Sequence, residues 1–294
     1  MHKKLVILAG GASSRMKKEA VVANLTAEEI AQANERSKGL IGVGVNGRPL
    51  LDYLLLNAKK AGYEKIYIII GEQGGLFKEF YGHQNTNNNF HGLNISFATQ
   101  YIPEGSTKPL GTADALWQAV LQFPELNGDE YTVCNSDNLY STAALFALRS
   151  TQSVNAFISY DRDALAFSSE RISRFAIVKL DINHQLLDIL EKPTASVLEE
   201  YKDIEGKIRV SMNAFKFNGA IVYSFLKNCP IHHERGEKEL PTMLLNVIKE
   251  FPNSTLGIPF SEHVPDLTAK EDIADVKEYL KKNYPALNWQ TDKN

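Results

Sequence analysis

A short apolar run, Leu5–Ala9, leads directly into Gly10-Gly11-Ala12-Ser13-Ser14-Arg15-Met16. Successive small residues let a backbone approach an anion closely, and their N–H groups can form a nest for phosphate oxygens. Arg15 adds a planar fork of donors suited to the same oxygens. The spacing is not a Walker loop, because no Gly-Lys-Ser/Thr follows, and it fails the G-x-G-x-x-G dinucleotide pattern. Alone, the run reads equally well as a glycine-rich turn with a solvent-facing arginine. Further along, Val133-Cys134-Asn135-Ser136-Asp137-Asn138-Leu139-Tyr140 puts a carboxylate where a strand ends. Open α/β sheets bind ligands at that edge. Gly111-Thr112 opens an apolar-periodic segment, where Thr112 would serve equally as a capping residue.

The elements that must carry these residues alternate between strand-like and helix-like patterns, which argues for an α/β fold with a mixed, mostly parallel sheet. Strands are predicted at Leu5–Ala9, Lys65–Gly71, Leu93–Gln100, Tyr131–Cys134, Val154–Tyr160, Phe175–Leu180, Leu186–Leu190 and Arg209–Phe217. Helices are predicted at Pro49–Ala61, Gly111–Phe123, Thr142–Arg149, Ser196–Tyr201, Gly219–Leu226, Leu240–Phe251 and Lys270–Asn283. Thr26-Ala27-Glu28-Glu29 has the form of a capping box and predicts a helix over Ala27–Arg36. Gln84–Asn89, rich in Asn, reads as a solvated loop.

Composition narrows the field. The 294 residues carry 32 basic and 35 acidic side chains, a net charge of −3, with 44% apolar residues. Interspersed signs offer no basic face for nucleic acid. No apolar run reaches the 18 or more residues of a membrane span, and the N-terminal apolar stretch is too short for a signal peptide. Two cysteines, Cys134 and Cys229, give neither a disulfide framework nor a metal pair. The expectation is a cytoplasmic protein. With no linker-like run, 1–294 reads as one domain, its halves 1–150 and 151–294 handling different parts of a substrate pair.

Six blocks, in order over residues 5–289, resemble the sugar-nucleotidyltransferase family, the pyrophosphorylases that join a nucleoside triphosphate to a sugar 1-phosphate. The likeness is to a bacterial glucose-1-phosphate nucleotidyltransferase-like branch. Leu8–Met16 resembles L-A-G-G-x-G-x-R-[LM], with Ser13 where the family usually has Gly. Ser37-Lys38-Gly39-Leu40-Ile41 and Gly47-Arg48-Pro49-Leu50-Leu51 resemble P-K-x-[LM]-[ILV]…[KR]-P-[LI]-[ILV], with Ser37 for the usual Pro and a longer spacer before it. Leu110–Ala115 resembles L-G-T-[AG]-x-A, and Asn135–Tyr140 resembles N-[AS]-D-[DN]-[FL]-Y. Glu191-Lys192-Pro193 resembles E-K-P, with Asn213 on the following strand. Val264–Asp272 resembles the closing D-[IV]-x-T-x-x-[DE]-[DE] element, although the nearest branch often has Gly at the position of Asp266.

The resemblance implies a Rossmann-like three-layer α/β/α fold of the nucleotide-diphospho-sugar transferase type. It implies that Leu8, Ala9, Gly10, Gly11 and Ser13 bind the nucleotide with Arg15, and that Lys38 neutralises the triphosphate. Gln100, Gly111 and Thr112 would meet base and ribose. Asp137 and Asp266 would hold Mg²⁺, and Glu191, Lys192 and Asn213 would receive the sugar phosphate. The implied partners are a nucleoside triphosphate and a sugar 1-phosphate, with no nucleic acid and no membrane, and homo-oligomerisation is left open. Two neighbouring readings are transfer to an amino-alcohol phosphate and a GT-A-like glycosyltransferase built on Asp161 and Asp163. A third is a non-catalytic regulatory homologue. The bland reading is preferred for Asp161-Arg162-Asp163 as an acidic turn and for His232-His233-Glu234 as a solvated loop. Cys134 reads as a core residue and Lys281-Lys282 as a helix-end charge match.

Overall fold

The computed structural model describes residues 1–19, 25–233 and 235–289, so Glu234 of the His232-His233-Glu234 run lies outside them. Ten strands occur among the described residues. The first five are β1 (Lys4–Leu8), β2 (Lys65–Gly71), β3 (Asn88–Phe90), β4 (Leu93–Gln100) and β5 (Glu130–Asn135). The others are β6 (Asn155–Asp161), β7 (Ile177–Leu180), β8 (Leu186–Leu190), β9 (Arg209–Asn218) and β10 (Thr255–Phe260). Helices of the first half are α1 (Ala27–Glu35), α2 (Leu50–Lys60), α3 (Gly75–Tyr81), α4 (Thr112–Gln122), α5 (Glu125–Gly128) and α6 (Thr142–Ser150). Those of the second are α7 (Ser169–Ile172), α8 (Gly219–Lys227), α9 (Leu240–Glu250) and α10 (Asp272–Asn283).

The strands form one sheet in the order β10-β6-β9-β5-β1-β2-β4-β3, with the β7–β8 hairpin attached through β9. β1 pairs in parallel with both β2 and β5, and β4 extends the parallel run. β9 lies antiparallel between β5 and β6. Along the main path only β9 and β3 therefore run against the common direction. Side-chain alternation sends each face of the sheet into its own core. Leu5 and Ile7 of β1 join the core shared with α2, α6 and α10, whereas Val6 joins that of α4, α8 and α9. This is the expected three-layer α/β/α arrangement. No helix among the described residues is long and apolar enough to cross a membrane.

Some elements depart from expectation. β10 was not predicted; Gly257 and Pro259 hide its pattern, and a proline is tolerated because the strand sits at the sheet edge beside β6. The Asn-rich stretch is not all loop, since Asn88 and Asn89 pair with β4. Asn88 buries its amide against Ile95 O and Gln84 O. Ser196–Tyr201 is not an α-helix but part of a run of 3₁₀ turns over Ala195–Tyr201. The capping box holds, with Glu29 N–H donating to Thr26 Oγ1 at 3.2 Å and Thr26 N–H to Glu29 Oε2 at 2.8 Å.

Candidate functional site

The carboxyl ends of β1 and β5 are stitched together, Ser136 N–H donating to Leu8 O at 3.0 Å. The chain leaves β1 toward β2 on one side and returns as β5 on the other, so this edge is a topological switch point, the usual ligand crevice of open α/β sheets. The loop that follows β1 is shaped by close approaches. A Cβ on Gly10 would lie 3.0 Å from Gln100 Oε1 and 3.4 Å from Gly71 N, so only glycine fits without displacement. Ser13 has φ +54°, the left-handed region that favours glycine, which explains the residue expected there.

Arg15 follows on the lining of an open cleft of about 1100 Å³, and no ion pair holds it among the described residues. Thr112, Asp137, Glu191, Lys192, Asn213 and Asp266 line the same cleft, so seven predicted residues from six separate segments meet there. Lys38 reaches it through Asp137, its Nζ 2.8 Å from Asp137 Oδ2. The turn that carries Lys38 presses on the end of β5, where a Cβ on Gly39 would fall 2.9 Å from Ser136 O.

Asp137 and Asp266 sit on segments tied by backbone. Leu267 N–H donates to Asp137 O and Leu139 N–H to Pro265 O, both at 2.9 Å. Burial, and then the neighbouring Asp137 carboxylate, push the Asp266 carboxyl above its usual range, against the pull of Arg171. Arg171 Nη2 lies 2.6 Å from Asp266 Oδ2, which also accepts from Thr268 Oγ1 at 2.8 Å. Nη1 of the same guanidinium pairs with Asp272, whose other oxygen caps Thr268 N and Ala269 N at 2.7 Å each.

Gln100 and Gly111 are not on the lining of that cleft. Gln100 is buried, and its amide donates to Gly111 O at 3.1 Å and Asp114 Oδ2 at 3.2 Å. Gly111 has φ +98°, and a Cβ there would fall 2.6 Å from Lys238 O. The glycine is thus demanded by a neighbouring backbone, whatever a base would need. Thr112 does not cap its own helix; its Oγ1 accepts from Leu240 N at 3.1 Å, at the start of α9.

On the acceptor side, Lys192 follows β8 with φ +46° directly before Pro193, a strained placement, and no ion pair holds it among the described residues. Asn213 has φ +57° where the β6–β9 register shifts between the Phe157–Phe215 and Ser159–Ser211 pairs. Bulges beside binding sites re-aim a side chain in this way. Glu191 pairs with Arg235, whose other nitrogen holds Glu239. Burial and the Glu239 charge hold the Glu191 carboxyl above its usual range.

Sequence reasoning missed Arg171 and Arg235. Arg235 lies four residues before Glu239, at the start of α9, but nothing in the spacing marks either arginine. Asp161 and Asp163 stay out of the cleft. The Asp161 carboxylate is taken up by Lys207 at 3.0 Å, Ser261 Oγ at 3.2 Å and Asp163 N at 3.1 Å.

The family model for nucleotidyl transferases matches residues 4–252. The bifunctional protein GlmU of Staphylococcus epidermidis is 26% identical over 253 residues, which is 85% of this chain; the chain spans 46% of that protein's length. A crystal structure of UDP-glucose pyrophosphorylase complexed with UDP-glucose superposes with a TM-score of 0.67 at 14% identity, covering 96% of this chain and 100% of that one. That likeness bears on the fold.

Proposed function

This chain belongs to the nucleotidyl transferase family, and from that premise we propose that it transfers a nucleoside monophosphate from an NTP to a sugar 1-phosphate, giving an NDP-sugar and pyrophosphate. The observation that carries this reading is that Arg15 and Lys192, two cations with no ion pair among the described residues, line one cleft with the Asp137–Asp266 pair. Two anionic substrates must be brought together there, and each needs its own counter-charge. The resemblance of Glu191-Lys192-Pro193 to the E-K-P element supports a sugar phosphate as the acceptor.

An acceptor phosphate oxygen is already an anionic nucleophile, so no general base is required. It forms a bond to the α-phosphorus as the α–β P–O bond breaks, and pyrophosphate leaves with the electron pair. What remains for the protein is alignment and charge neutralisation. Arg15 and the Gly10–Ser14 backbone hold the leaving pyrophosphate. Lys38 offsets charge near the α-phosphate, and Gln100 fixes the loops that bracket the base. Lys192 receives the acceptor phosphate, with Glu191 and Asn213 on the sugar hydroxyls.

Asp137 and Asp266 suit a divalent cation. They are hard oxygen donors held side by side on segments tied by backbone hydrogen bonds. Mg²⁺ on this pair would supply further neutralisation of the triphosphate.

The test is a pyrophosphate-release screen with Mg²⁺, crossing ATP, GTP, CTP, UTP and dTTP with sugar 1-phosphates and amino-alcohol phosphates. Release with at least one sugar 1-phosphate is expected. Silence with every sugar, or release only with amino-alcohol phosphates, would overturn the reading.

A further inference from the structure

The two carboxylates of the cleft are not bare. Asp137 has Oδ2 on Lys38 and Asp266 has Oδ2 on Arg171 and Thr268, which leaves Oδ1 of each without a hydrogen bond among the described residues. Arg171 is held as firmly as it holds. It bridges Asp266 and Asp272, donates also to Asp266 O at 3.3 Å, and stacks its guanidinium 4.2 Å over the Phe167 ring. The strap that bears it is pinned beside Asp266, with Ala166 N–H donating to His263 Nδ1 at 3.1 Å and Phe167 edge-on to that ring. Among the described residues no group of three or more His, Cys, Asp or Glu side chains gathers to hold a metal. Asp137 and Asp266 each already face a cation, Lys38 and the Arg171 that Asp272 shares, so the pair offers an incoming dication less than its full charge. Mg²⁺ in such a site characteristically draws its other ligands from substrate phosphates and water.

Building on the nucleotidyltransfer reading, we infer that Arg171 is a positioning residue that acts through Asp266, partly neutralising the carboxylate pair so that a divalent cation binds tightly only together with the triphosphate. The triphosphate supplies the missing ligands and the missing negative charge at once. Arg171 thereby makes the order of occupation a property of the protein.

Mn²⁺ binding followed by electron paramagnetic resonance, on the whole protein without acceptor, tests this directly. In the unmodified protein, addition of the NTP that binds should tighten Mn²⁺ at least tenfold. Arg171→Met removes the balancing charge and should tighten nucleotide-free Mn²⁺ at least tenfold, shrinking that coupling. Arg171→Lys keeps the charge and should stay within about threefold of the unmodified protein. A second change, Asp137→Asn in the Arg171→Met background, should abolish the gain. Unchanged or weaker nucleotide-free Mn²⁺ binding in Arg171→Met would overturn the inference, because a residue that merely orients Asp266 loses affinity when removed. So would a gain that survives Asp137→Asn. If Arg171→Met fails to fold, an Arg171→Lys protein that binds nucleotide-free Mn²⁺ at least tenfold tighter overturns it equally. These nucleotide-free measurements stand apart from the pyrophosphate screen, so failure of either leaves the other readable.

Discussion

Arg15 and Lys192 are exposed cations on the lining of a cleft that also carries buried carboxylates, Arg15 on the loop after β1 and Lys192 two residues past β8. Their roles differ by substrate. Lys192→Ala should leave nucleotide binding in place and raise KM for the sugar 1-phosphate, lowering kcat/KM by about 10- to 100-fold, as loss of one charge-assisted contact does. Steady-state kinetics with either substrate varied checks this, and an equal loss toward the nucleotide would contradict it. Asp137→Ala should abolish turnover while circular dichroism stays native, because its backbone links to Leu267 do not need the side chain. Retained turnover would remove Asp137 from the site. Ser13 pays for its left-handed φ, so Ser13→Gly should stabilise the fold by up to about 1 kcal/mol in urea unfolding.

Helix starts do much of the alignment. Those of α4 and α9 are knitted together, with Ala113 N–H on Lys238 O, Lys238 N–H on Leu110 O, and Leu240 N–H on Thr112. Gly111→Ala forces both a strained φ and a collision with the Lys238 carbonyl, and should cost about 2–4 kcal/mol in urea unfolding. Loss of less than about 0.5 kcal/mol would show that the junction gives way freely. Such junctions also mark what the sequence displays and what it conceals. β1 and β2 are near-continuous apolar runs, β4 alternates apolar with polar residues, and Asp137 stands two residues past the end of β5, so local pattern sufficed for these strands and for that carboxylate. β10 was hidden because its Gly257 and Pro259 speak against a strand until a neighbour supplies the pairing. Gly111 was read for a base it would touch, whereas the contact that demands it comes from Lys238, more than a hundred residues away. Arg171 carries no local signal, because its meaning comes wholly from Asp266 and Asp272 folding onto it.

The whole molecule rests on a sheet whose central strand is packed by its own N-terminal neighbour. His2 lies before β1, its Nε2 2.8 Å from Thr132 Oγ1 of β5 and its ring edge-on to Tyr63. Burial first, then the charges of Lys216 and Arg149, pull its pKa down to about 3 from 6.5. The unfolded chain takes up a proton near pH 6.5 and the folded chain does not, so this stabilisation is whole above pH 6.5 and drains away as pH falls toward 3. At about pH 4.5 the loss attributable to His2 is on the order of 2–3 kcal/mol. His2→Gln should therefore lose less stability than the unmodified protein between pH 7 and 4.5 in paired urea titrations, and equal losses would refute the assignment. The position of β9 has a consequence of another kind. It fills the gap between β5 and β6, yet it is made about seventy residues after β5 is complete. At ~5–20 residues per second a ribosome needs about 4–15 s to deliver it. Through that interval a nascent chain carries an unpaired β5 edge beside a finished parallel core, the kind of edge on which chains aggregate. Slowing synthesis anywhere between Asn135 and Arg209 lengthens that exposure, so the yield of folded protein should depend on the pace of translation there more than on any residue of the cleft.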